Sequence, residues 1–204
     1  MRVDRPPPGD ELNTGAETEA RPAASTIVLR DGGDSLQVLL VQRNPNARFM
    51  AGAWVFPGGA VHNEDGSHEQ TAVRELQEEA GIELATAALV PFSRWITPAA
   101  VKVRFDTWFF VAEAPGGAEA RPDGNECVDA LWLGPREALE AATQDELLLV
   151  FPTIKHLEQL AEFSSVAEAL ETARAREVEP VQPRVVVKDG SAHVLLPGEP
   201  GYED

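Results

Sequence analysis

The apolar positions of this chain fall into short runs divided by turn residues, and the runs follow two different periods. Residues 26–30 (TIVLR) and 36–43 (LQVLLVQR) read as strands, and Asp31-Gly32-Gly33-Asp34 between them predicts a hairpin. A loop carrying Arg48 leads to a short apolar run, Trp54-Val55-Phe56, and then to Pro57-Gly58-Gly59. From Ser67 to Ala80 the pattern turns helical. Ser67 is a good N-cap, Gln70 completes a capping box, and Gly81 is the expected terminating residue. Residues 87–96, 103–113 (VRFDTWFFVAE) and 127–133 (CVDALWL) read as further strands, with a Gly/Pro/Asp-rich loop at 115–126.

Pro135 opens a short helix through about Ala142. Pro152 opens another, with Ile154, Leu157, Leu160 and Ala161 as its buried stripe, and Val166, Ala169, Leu170 and Ala173 mark a third packed nearby. Strands interleaved with helices predict an α/β layered domain with a mixed sheet. A length of 204 residues suits one domain with extra segments, placed at 25–180. Residues 1–24 have almost no bulky apolar side chains to offset ordering entropy, so a disordered tail is expected there. The extension 181–204 contains VVVKDGSAHVLL, a small hairpin around Asp189-Gly190.

Charge and composition narrow the function. A formal net charge of -17 repels nucleic-acid polymers and anionic lipid, so neither is an expected partner. A small anionic substrate needs only a local cluster of Arg or Lys, and stays open. No run is long enough to span a bilayer, and the N-terminus lacks the apolar core of a signal peptide. The single cysteine, Cys127, sits in an apolar run and reads as a small core residue. The absence of an intrachain disulfide fits a reducing, cytoplasmic setting. The four His residues show no zinc-type spacing.

The informative stretch is Arg74-Glu75-Leu76-Gln77-Glu78-Glu79-Ala80-Gly81-Ile82. On a helix, Glu75, Glu78 and Glu79 share one face at i, i+3 and i+4, opposite Val73, Leu76 and Ala80. Three like charges repel each other, and they lie near the helix C-terminus, where the dipole disfavours anions. Local stability does not account for them, whereas a bound hard cation does: carboxylate oxygens suit Mg²⁺ or Mn²⁺. Arg74 can pair with Glu78 at i+4 and orient it.

Gly59 followed by this string resembles the Nudix box, G-x5-E-x7-R-E-U-x-E-E-x-G-U, where U is apolar. The second half matches at every specified position. The first half departs: the interval from Gly59 to Arg74 is one residue longer, and counted back from Arg74, Gly66 stands where the box acid belongs. Glu64 or Asp65 could supply the missing carboxylate. The resemblance implies the Nudix fold, a mixed sheet sandwiched between helices (α/β/α) with extra C-terminal helices here. It also implies attack of water on a diphosphate bridge, assisted by Mg²⁺ or Mn²⁺ held by Glu75, Glu78 and Glu79, with Arg74 in support. A carbonyl of Gly59 is a further ligand candidate, and Gly58 and Gly59 let backbone approach the phosphates.

Within that family, Arg43, Arg48, Gly52 and Phe56-Pro57-Gly58-Gly59 keep the spacing of the coenzyme A diphosphatase signature. Val41 and Asn44 depart from it. Asp65, Ser67, Thr71 and Ala72 fit the longer interval of that branch, and Trp95-Ile96-Thr97-Pro98 with Arg104-Phe105-Asp106-Thr107 is similar to its peroxisomal-type members and bacterial relatives. Arg43 and Arg48 would then bind phosphate, with Arg104 a weaker candidate, and a structural ion pair is the alternative for each. Trp54 and Trp95 either stack on an adenine or pack as core. Glu126 is a general base, a ligand or a solvated loop acid. Coenzyme A or acyl-coenzyme A is the expected substrate. The rivals are ADP-ribose, a dinucleotide or a damaged nucleotide, and a silent Nudix-fold nucleotide sensor, which would have no need of the three glutamates. A homodimer is open.

Overall fold

The structure, a computed structural model, describes residue 13 and residues 16–33, 35–188 and 191–203. Strand β1 (Arg21–Gly32) and strand β2 (Ser35–Arg43) form the expected antiparallel hairpin, in register from Leu29↔Val38 to Gly32↔Ser35. Gly33 adopts the left-handed φ of +61° that a tight turn needs. Past the Leu29/Val38 pair the two strands part. The early half of β1 pairs with β4 (Gly58–Ala60), and the late half of β2 pairs with β3 (Trp54–Val55). The divergence opens a gap at the heart of the sheet, filled by the residues between β2 and β4.

On its other edge β1 runs parallel to β6 (Phe105–Glu113), from Arg21↔Phe105 to Leu29↔Glu113. Strand β5 (Val90–Ile96) pairs antiparallel with β6, and β7 (Cys127–Leu133) antiparallel with β2. A short β8 (Pro180–Val181) joins the outer edge of β5. The result is an eight-stranded mixed sheet.

Both faces of the sheet are covered, so its central strands are apolar on both sides. Val28, Leu39 and Val41 face Leu76 and Ala80 of helix α1 (His68–Ala80). Ile27, Leu29, Val38 and Leu40 face the opposite layer, built from α2 (Pro135–Thr143), α3 (Phe151–Leu160) and α4 (Val166–Ala175). Each fully buried Leu, Ile or Val stabilises the fold by about 1.5–3 kcal/mol. On α4 the buried residues are the expected Val166, Ala169, Leu170 and Ala173. On α3, Leu157 and Leu160 are buried as expected and Ile154 packs half-buried against the same core, while Ala161 is only half-buried and Thr153 and His156 join the buried stripe. His156 is enclosed by Phe56, Phe92, Trp95 and Phe109, and burial drives its ring down to about 3, so it is a neutral core residue hydrogen-bonded to Ser93.

The chain order begins earlier than composition suggested. Residues 21–24, read as part of a tail, belong to β1, because the parallel pairing with β6 runs to its first residue. Arg104 fastens the preceding segment: buried at 5 % exposure, it donates to the Thr18 carbonyl and the Glu17 carboxylate. Arg104 is therefore a structural clasp, the ion-pair alternative to the phosphate contact considered for it. The rest of the expected tail, residues 1–12, 14 and 15, lies outside the described residues. Two strands start later than read: a 3₁₀ turn at Thr86–Ala88 delays β5 to Val90, and β6 starts at Phe105. The C-terminal extension forms the hairpin β9 (Arg184–Lys188) and β10 (Ser191–Leu195), whose turn, residues 189–190, lies outside the described residues. No helix among the described residues is long and apolar enough to cross a membrane.

Candidate active site

Helix α1 carries the acidic cluster, and its ends are fixed by local chemistry. Ser67 Oγ accepts from the Gln70 amide at 3.3 Å. Gln70 Oε1 reaches back to the Gly66 amide at 2.6 Å, one residue outside the cap it was expected to close on. Gly81, at φ +66°, ends the helix by donating to the Gln77 carbonyl at 3.0 Å.

The three glutamates do not share one solvent face. Glu75 and Glu79 are buried with Leu76 and Ala80, whereas the Glu78 side chain is 59 % exposed. The reason lies in β4. Gly58 and Gly59 carry no side chain: a Cβ on Gly58 would meet Ala24 and Ser25 of β1, and the room at Gly59 is occupied by a carboxylate, since a Cβ there would stand 2.4 Å from Glu75 Oε1. A regular helix placed on a glycine-edged strand can thus turn two acids inward.

Glu79 Oε2 accepts from the Gly58 amide at 2.8 Å. Its other oxygen, Oε1, is buried and makes no hydrogen bond of ordinary geometry. The nearest cation is Arg43, whose Nη1 is 3.8 Å away. Burial pushes the Glu79 carboxyl up to about 7, against the pull of the Gly58 amide. Burial likewise raises Glu75, opposed by its bond from Arg74 and reinforced by the charges of Glu78 and Glu126. Cys127 is buried beside Glu79, and burial pushes its thiol up, so it stays a neutral core group.

Arg74 is the hub of the outer half. Its Nη1 donates to Glu75 Oε1 and to Glu78 Oε2, each at 2.8 Å. Its Nε and Nη2 grip Asp65 at 3.0 and 2.8 Å, and Nη2 also reaches the Ala60 carbonyl at 3.3 Å. That fork holds the Asp65 carboxyl well below the usual carboxylate range, with the His62 amide and the Thr71 hydroxyl adding bonds. Glu64 is exposed. Of the two acids left open for the position vacated at Gly66, Asp65 is the one tied into the cluster.

With Glu75 and Glu78 drawn to Arg74 and Glu79 to Gly58, no three acidic, His or Cys groups among the described residues converge on one point as a ready cation cage. The donor set nevertheless fits a hard divalent ion. It is all carboxylate oxygen, one buried oxygen lacks a partner, and burial penalises two of the charges in a way that a cation would relieve.

A cleft of about 740 Å³ opens beside these groups. Arg43, Arg74, Glu75, Glu78, Glu126, Gly58, Gly59 and Trp95 all line it. Arg48 does not: it is exposed on the loop after β2. Trp54 is buried in the core away from the cleft, and Trp95, 7 % exposed, forms a wall packed edge-on against Phe151. The sequence reading missed several lining residues. Arg21 was assigned to the tail, yet it lies over the Phe105 ring at the cleft. Phe49, Met50, Phe109, the first turn of α3, and Pro183, Val185 and Val194 also contribute. No local signal marks them, because each reaches the cleft only through long-range packing. Met50 is held at φ +51°, a conformation uncommon for a side chain of its kind.

A profile of the NUDIX domain matches residues 19–151 of the chain. The chain belongs to the Nudix family. Among its Nudix relatives, the acyl-coenzyme A diphosphatase NUDT19 of Homo sapiens is 32 % identical over 121 residues, covering 56 % of this chain and 32 % of that protein. The CTP pyrophosphohydrolase of Escherichia coli is 34 % identical over 116 residues, covering 57 % of this chain and 77 % of that one. The chain thus spans about a third of the human relative's length. The crystal structure of a NUDIX hydrolase from Alicyclobacillus acidocaldarius superposes with a TM-score of 0.68 at 28 % identity, over 76 % of this chain and 96 % of that chain. The Nudix fold, a mixed sheet between helices with extra C-terminal helices, is therefore the architecture of this protein.

Proposed function

We propose that this Nudix protein is a hydrolase of the diphosphate bridge in a nucleoside-diphosphate-linked substrate, that it uses Mg²⁺ or Mn²⁺, and that its substrate is coenzyme A or an acyl-coenzyme A. The observation that carries the hydrolase reading is the buried, unbonded Oε1 of Glu79, held beside Gly58 behind the charged end of a cleft that Arg43, Arg74, Gly58 and Glu75 line. Phosphoryl transfer demands positioning and charge compensation more than covalent chemistry, and this end of the cleft offers both signs of charge.

Glu75, Glu78 and Glu79 would hold the divalent cation, with a Gly59 carbonyl as a further ligand; when bound, it supplies positive charge against the diphosphate oxygens. Arg74 positions Glu75 and Glu78 through one nitrogen while Asp65 fixes its other edge. Arg43, anchored by Nε to the Phe49 carbonyl at 3.3 Å, offers its remaining N–H groups to phosphate oxygens. Glu126, exposed at the rim, accepts the proton of the attacking water.

Coenzyme A is favoured by three supports: the spacing of Arg43, Gly52 and Phe56-Pro57-Gly58-Gly59, the human acyl-coenzyme A diphosphatase among the relatives, and the mainly apolar walls of the cleft. Purified protein with Mg²⁺ or Mn²⁺ should convert coenzyme A to adenosine 3′,5′-bisphosphate and a phosphopantetheine product, read by mass. Turnover of ADP-ribose or CTP with coenzyme A untouched would replace the substrate. Glu78→Gln should lower the rate by about 10³-fold or more, and an unchanged rate would reject the mechanism.

A further inference from the structure

The C-terminal hairpin has no part in the chemistry above, yet it walls the cleft. Val185 and Val194 are directly opposed across β9 and β10, so their side chains share one face, and both line the cleft with Pro183.

The sheet register gives the span from the acids to β8, the strand that leads into this wall. One row of paired residues crosses the sheet from β4 to β8: Ala60, Ala23, Thr107, Trp95 and Val181. The first four of these, Ala60, Ala23, Thr107 and Trp95, all line the cleft. Strands in a sheet are ~4.8 Å apart, so the four steps from β4, where Gly59 abuts Glu75, to β8 cover roughly 19 Å. The hairpin follows directly after β8. Charge along the lining is divided accordingly. Its charged residues come from β1, β2, α1 and the loops beside them, and none comes from β5, α3 or the hairpin.

We infer that the hairpin is a specificity element: Val185 and Val194 contact an apolar arm of the substrate, the acyl chain of an acyl-coenzyme A, while the diphosphate is held at Glu75 and Arg43. This rests on the coenzyme A reading proposed above. The length agrees. From the diphosphate phosphorus to the sulfur of coenzyme A there are about thirteen bonds, or roughly 15 Å at the reach of an extended chain. An acyl group on that sulfur then begins where the charged lining has ended and the hairpin wall stands.

The test is a chain-length series, from free coenzyme A through short to long acyl-coenzyme A, on the full chain and on Val185→Asp, Val194→Asp and the conservative Val185→Ile. In the unmodified protein KM should fall as the acyl chain lengthens. In the Asp variants that dependence should flatten, with KM for the longest substrate raised about tenfold or more, kcat preserved, and Val185→Ile close to the parent. An unaltered chain-length dependence, or an equal loss of kcat for every substrate including free coenzyme A, would overturn the inference. Binding of a dansyl-labelled fatty acid, read by fluorescence, separates this from the catalytic reading. If no coenzyme A compound is hydrolysed but the probe binds the parent and not Val185→Asp, the substrate proposal alone fails. Equal binding to both, or none to the parent, sinks the hairpin assignment.

Discussion

Glu79 Oε1 stands 3.8 Å from Arg43 Nη1, a long ion pair beyond hydrogen-bond reach, and it accepts no hydrogen bond although the carboxylate is only 3 % exposed. A protein gains nothing in stability from such an arrangement, since an unsatisfied buried carboxylate is costly. It is the arrangement expected where a site is tuned for a positively charged visitor.

Glu79 therefore sets a pH dependence. Its folded pKa of about 7 lies above the ordinary glutamate value of 4.5, so the folded state holds a proton that the unfolded chain has released. Its contribution to stability is present below pH 4.5 and is lost as pH rises toward 7. In protein stripped of divalent ions, Glu79→Gln should remove this loss. The variant should be more stable than the parent at pH 8 by on the order of 1–3 kcal/mol, by chemical denaturation, while losing nearly all activity. Added Mg²⁺ or Mn²⁺ should stabilise the parent and not the variant. A parent whose metal-free stability does not decline over that pH range would contradict the assignment.

Gly59 is constrained by space. Its φ is not in the left-handed region, but an added methyl would meet the Glu75 carboxylate at 2.4 Å. Gly59→Ala should push Glu75 off its place, raise the divalent-ion concentration needed for half-maximal rate by about tenfold, and lower kcat, with a fold intact by circular dichroism. Metal titration of the initial rate checks this.

The two arginines of the shared spacing should behave differently. Arg43 lines the cleft beside Glu79, whereas Arg48 is exposed outside its lining. Arg43→Ala should reduce kcat/KM by about 10²-fold, because a charge-assisted phosphate contact is lost. Arg48→Ala should stay within about threefold of the parent. Steady-state kinetics on the best substrate decides, and equal losses would show that the loop after β2 closes on the substrate.

Asp65 and Glu64 make a second contrasting pair. Asp65 receives two bonds from Arg74, and Glu64 is exposed. Asp65→Ala frees one edge of Arg74, so Glu75 and Glu78 lose their fixed partner. A fall in kcat of about tenfold is expected, with little change for Glu64→Ala. The reverse ranking in a parallel assay would place the surrogate acid at Glu64.

Much of the fold was readable in advance because it depends on neighbours in the chain. Ser67 and Gly81 bracket α1 through bonds to residues three or four positions away. The β1–β2 hairpin follows from Gly33 and its flanking apolar runs. The buried stripe of α4 follows from helical period alone. The acids of the box were legible for the same reason, as one helical string from Arg74 to Gly81.

What the linear chain could not express was depth and distance. The helical wheel put Glu75, Glu78 and Glu79 together, but only the packing of α1 on a glycine-edged β4 decided that two of them are buried and one is exposed. For Arg104 and Arg48 the sequence left phosphate contact and a structural ion pair both open, and tertiary contacts made one a buried clasp and left the other exposed outside the cleft lining. Arg21, Phe109 and Val194 meet in one cleft although far apart in sequence. Periodicity and capping are short-range physics and are written along the backbone. A cleft is made by long-range strand register and side-chain exclusion, and these exist only once the whole sheet has closed.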